Sequence, residues 1–87
     1  MGKVIVAVRD LKASAFVYPQ FAVSAGVAIR SFGDAVADSQ SALHAHAADY
    51  QLFKLGDLDD VTGLITPVLV PELLAYAVDF VKVGNNE

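Results

Sequence analysis

Eighty-seven residues suffice for one domain near the lower size at which a single core folds, and the absence of cysteine excludes a disulfide framework or a thiolate metal site. At 55% hydrophobic the chain is more apolar than so small an interior can hide, so a homo-oligomer is expected. Its net charge of −4 argues against indiscriminate binding to nucleic acid, but the charge is uneven: residues 1–30 carry four cations against Asp10, and residues 31–87 carry two against nine carboxylates.

Residues 3–9, KVIVAVR, are rich in β-branched side chains and apolar on both faces, which predicts a central strand. Arg9 and Asp10 end this run well short of a secretory core or a bilayer span. Val6 stands where a myristoylation signal wants Ser or Thr, so the chain reads as soluble, unprocessed and without a membrane partner. Residues 10–23 show no clean period and contain Pro19, predicting an irregular arm that carries Phe16, Tyr18 and Phe21.

Ser24 is placed to cap a helix whose apolar positions Ala25, Ala28, Ile29, Phe32, Ala35 and Val36 recur at helical spacing, ending near Asp38. A loop follows to Tyr50. Residues 50–59 read as a second strand and 64–68 as a third, with Pro67 suited to an edge or a strand end. Pro71 and Glu72 suit the start of a final helix that Gly84 closes, leaving 84–87 as a frayed tail. The expected fold class is α/β (α+β): one domain over 1–87 in β-α-β-β-α order. Its three-stranded sheet has helices on one face, and oligomerisation, as a homodimer, covers the other.

The stretch LGDLDDVTGLI, residues 55–65, brings Asp57, Asp59 and Asp60 together, and it lacks the Gly and closing Glu of a calcium loop. Asp60-Val61-Thr62-Gly63 instead fits a hairpin turn, with Asp60 accepting from the turn backbone and Gly63 in the left-handed region. His44 and His46 could offer two metal ligands, but zinc needs three or four, and the spacing leaves their role open. No nucleophile–base pair, phosphate loop or acid–base dyad is legible, so neither an enzyme nor a cofactor is expected.

What remains is a set of cations beside aromatics, Arg9, Lys12 and Arg30 with Phe16, Tyr18 and Phe21, of which the three cations with Phe16 and Tyr18 are the expected binding residues. Cations on phosphate and rings under bases are how single-stranded nucleic acid is held. The plainer reading has the rings plugging the core while the cations pair with Asp10 and Asp34.

The blocks VRDLKASAF, YPQF, AIRSFGDAVAD and SALHAHAADYQLFKLGDLDDVTGLI, followed by Pro67, occur in an order and at spacings that resemble the small nonstructural protein of microviruses, especially gokushovirus-type phages. The resemblance runs from Val4 to Phe80. It implies a nonenzymatic phage accessory protein of the bacterial cytoplasm, absent from the mature virion and acting on single-stranded DNA in replication or packaging. The family's RD-x-K block falls on Arg9, Asp10 and Lys12, and its AIR-x-F block on Ala28 to Phe32. Relatives have His-Pro where this chain has His46-Ala47, which speaks against a rigid histidine site. The alternative is an adaptor for a phage or host replication protein, without DNA contact.

Overall fold

β1 (Gly2–Asp10) is the central strand that its composition predicts, paired antiparallel on both sides in a sheet of order β2-β1-β3-β4. The structure, a computed structural model, describes residues 2–81; the expected helix end at Gly84 and the tail over 84–87 lie outside them. β2 is Ala15–Ala22, β3 Tyr50–Asp59 and β4 Ile65–Tyr76. Between β2 and β3 run α1 (Ala25–Ala37), a short helical turn at Ala42–Ala45 and a 3-10 turn at Ala47–Asp49.

The even-numbered residues of β1 face α1. Val6 and Val8 form the core with Ala28, Phe32 and Val36 of α1, Leu52 of β3, and Ala77 beyond β4. α1 begins where expected: the Ser24 hydroxyl oxygen accepts the Val27 N–H at 3.1 Å, satisfying one of the orphan donors of the first turn. At its far end the Asp38 N–H donates to the Asp34 carbonyl.

The expected element order needs two corrections. Residues 15–22 are a strand. Tyr18 and Pro19 fall in a register shift where β2 skips from Val17, opposite Val8, to Gln20, opposite Val6. Tyr18 takes φ 54 there, and Pro19 sits on an edge strand where its missing N–H costs no ladder bond.

The final helix is likewise absent among the described residues. β4 runs through Pro67 and Pro71 to Tyr76, and a 3-10 turn at Ala77–Phe80 follows. That turn packs on α1 because Gly33 leaves room: a Cβ there would lie 2.6 Å from the Phe80 ring. Phe32 and Phe80 meet edge to face at 6.1 Å. The sheet therefore has four strands rather than three, and the chain reads β-β-α-β-β. One helical layer covers one face, consistent with a shortest dimension of 18 Å.

The β3–β4 turn forms as expected, with its cap moved by one residue. Gly63 has φ 78, in the left-handed region, and its N–H donates to the Asp59 carbonyl. The Asp59 carboxylate, rather than that of Asp60, accepts the N–H groups of Val61 at 2.9 Å and Thr62 at 3.3 Å. Those bonds to its charged form hold the Asp59 pKa below its ordinary value. Asp57 pairs with Lys54 at 3.2 Å.

Candidate nucleic-acid interface

The sheet face away from α1 is built by strand alternation, since residues opposite each other in an antiparallel ladder share a face. One row across it runs Phe16, Arg9, Gln51, Tyr76; the next holds Ala7, Phe53 and Leu73. A third runs Phe21, Ile5, Gly56, Pro67, and a fourth holds Lys3, Leu58 and Ile65. Four aromatic rings and two cations thus lie on a surface roughly 20 Å along the strands and about 14 Å across them.

The sorting of charge is sharper than the net value suggests. The strand carboxylates Asp57, Asp59 and Glu72 are in register with Val4, Gly2 and, through Lys54, Val6, so they fall with Asp10 on the α1 side. No strand carboxylate among the described residues lies on the open face.

The Arg9 guanidinium carbon lies 5.0 Å from the centroid of the Phe16 ring, and Phe16 meets Phe53 edge to face at 5.6 Å. These contacts orient both side chains and leave Phe16 half-exposed. Phe21 and Tyr76 are more open, at 55% and 46% exposure. Ala7, 1% exposed, is the small residue between the taller neighbours of this face.

Of the five residues picked out from sequence, only Arg9 and Phe16 come together. Tyr18 turns to the α1 side, where with Val8, Gln20, Phe32, Ala35 and Leu43 it lines a cleft of about 270 Å³. Arg30 is on α1, in a separate cleft with Asp34, Asp79 and Phe80. Lys12 sits in the β1–β2 turn, in a groove shared with Asp10, His46, Asp49 and Tyr50. That groove is acidic: burial first, and then the charge of Asp10, raise the Tyr50 phenol pKa above its usual value. The expected pairing of cations with Asp10 and Asp34 does not form among the described residues. The Asp10 carboxylate instead accepts the backbone N–H groups of Lys12 and Ala13.

Lys3, Phe53 and Tyr76 lie on this face without being among the site residues expected from the sequence. Lys3 alternates in step with Arg9 and was legible in principle, whereas Tyr76 was hidden by the expectation of a helix.

His44 is held in the framework. Its backbone N–H donates to the Ser41 hydroxyl oxygen, and its ring Nδ1 lies 2.9 Å from the Val36 carbonyl. That geometry requires the proton on Nδ1. Ser41 in turn donates to the Ala35 carbonyl at 2.6 Å, fixing this turn to the end of α1. No group of three or more His, Asp or Glu side chains suited to a metal ion occurs among the described residues. No helix among them is long and apolar enough to cross a membrane.

No curated protein and no solved structure matches the chain. The profile of a family described as Phage ORF5 protein does, over residues 3–80, which spans α1 and all of the sheet but its first residue. The chain therefore belongs to the Phage ORF5 protein family, a family of phage proteins.

Proposed function

We propose that this protein is a nonenzymatic, nonstructural phage protein that binds single-stranded DNA on the open face of its sheet. The observation that carries the reading is the segregation of charge: a chain of net charge −4 keeps its strand carboxylates off one sheet face and sets Lys3, Arg9 and four rings there. Four-stranded sheets with exposed rings stack two or three bases of a single strand, while cations at their margins take the phosphates. The dimensions of this face fit such a segment.

With the resemblance to gokushovirus-type microvirus proteins, the reading places the protein in the host cytoplasm, outside the mature virion, in DNA replication or packaging. Arg9 and Phe16 keep the roles expected of them; Lys3, Phe21, Phe53 and Tyr76 join them. Lys12, Arg30 and Tyr18 lie apart and contribute at most secondary contacts.

Anisotropy of a labelled single-stranded oligonucleotide across a salt series tests the reading. Binding that weakens with salt and is lost in Arg9→Ala/Phe21→Ala supports it. Absence of binding at low salt favours the second reading, an adaptor for a phage or host replication protein, to which the exposed aliphatic side chains of β4 lend support.

A further inference from the structure

Opposite Leu55 of β3, β4 makes a detour: Lys54 pairs with Glu72 and Gly56 with Pro67, so Val68, Leu69, Val70 and Pro71 stand against a single residue. Leu69 is wholly exposed at the crest of this bulge and Val70 about three-quarters so. The nearby hairpin end adds Val61, Leu64 and Ile65, each more than half exposed. Exposed apolar side chains gathered on one hairpin in this number are of the order that marks an interaction surface on a small protein.

We infer that this hairpin is a self-association surface, on which a second copy of the same chain packs about a two-fold axis. Area comes first. The five side chains together equal nearly four fully exposed aliphatic residues, on the order of 250–500 Å² of apolar surface. A stable interface buries about 800 Å² per partner, a little over half of it apolar, so the hairpin supplies an apolar area of the required order.

Charge points to the same occupant. In a two-fold contact every residue near the axis meets its own copy, so a charge of either sign would face itself. Residues 61–71 carry no charge at all, although the chain is acidic overall. A basic or acidic partner would find nothing complementary there.

Backbone chemistry sets the mode of contact. Pro67 and Pro71 lack N–H groups, and the bulge breaks the β4 edge, so a continuous intermolecular ladder is blocked and the contact is made by side chains. This inference stands apart from the DNA reading, because mass is measured without nucleic acid.

Sedimentation velocity of the full chain at tens of micromolar should give the mass of two chains, and Leu69→Lys/Val70→Lys should give one. Both side chains are solvent-exposed, so the substitution leaves the core intact. A wild-type monomer, a double variant that remains a dimer, or an open-ended series of larger species would each overturn the proposal. In a chain without cysteine, Leu69→Cys should crosslink into covalent dimers under mild oxidation. Val23→Cys, exposed beyond the opposite edge strand, should not. Equal crosslinking of the two would also overturn it.

Discussion

Arg9 and Phe16 face each other across the β1–β2 ladder, with the guanidinium 5.0 Å above the ring centroid. The pair joins two functions in one contact. The ring holds the cation at the sheet surface, and among the described residues Arg9 has no carboxylate partner. A cation poised in this way offers its donors to a phosphate without first breaking an ion pair.

The strength of that contact is measurable apart from any ligand. A double-mutant cycle with Arg9→Ala and Phe16→Ala should give a coupling on the order of 0.5–1 kcal/mol in urea unfolding, the range for a cation–π pair at a water-exposed site. Additive single effects would show that the contact contributes nothing.

Gly63 tests the turn. A Cβ at this position meets nothing within 4 Å, so the sole cost of Gly63→Ala is the left-handed backbone at φ 78. The expected loss is about 1–2 kcal/mol, and Gly63→Asn should lose less because Asn tolerates this region. A urea midpoint unchanged in Gly63→Ala would mean that the turn adopts another conformation.

Asp59 gives the turn a pH dependence of known sign. Its pKa is lowered in the folded state by the Val61 and Thr62 N–H groups, so the folded chain binds its proton less readily than the unfolded chain. The contribution is complete above the ordinary carboxylate pKa and disappears as pH falls from there through the lowered value. Asp59→Asn keeps an oxygen to accept both bonds but has no proton to gain. Its stability difference from the wild type should therefore change across this acidic window and stay flat at neutral pH. A difference flat over the whole range would show that the carboxylate's charge plays no part.

β1, α1 and β3 were legible because each has one clear signal: a β-branched run, a capped 3.6-residue stripe, and a long strand before a turn. β2 was obscured by Pro19, which reads as a breaker until the strand is known to lie at an edge with a register shift beside it. The last segment failed for a different reason. Leu73, Leu74, Ala77 and Val78 satisfy helical spacing, yet Leu73 pairs with Phe53 on the open face while Leu74 packs against the core. A strand buried on one face and apolar on the other mimics a helix, and no local rule separates the two. The candidate site inherited both errors. Its rings come from three strands, β2, β3 and β4, and only the register between strands brings Phe16, Phe53 and Tyr76 onto one surface.

That register separates Arg9 from Arg30 and Tyr18, which the sequence had placed with it in one site. Lys3 and Arg9 share the open face, whereas Arg30 and Tyr18 lie on the α1 side of the sheet. A single strand stacked on Phe21 and Tyr76 reaches the first pair and not the second. Arg9→Ala and Lys3→Ala should each lower the salt slope of single-stranded DNA binding by about 0.7, the value for one lost phosphate contact. Phe21→Ala and Tyr76→Ala should each weaken binding by on the order of 1–3 kcal/mol while leaving the slope nearly unchanged. Arg30→Ala and Tyr18→Ala should leave both quantities close to those of the wild type. If Arg30→Ala instead reduced the slope and Arg9→Ala did not, the DNA path would run over the helical layer, and the open face would be left to a protein partner.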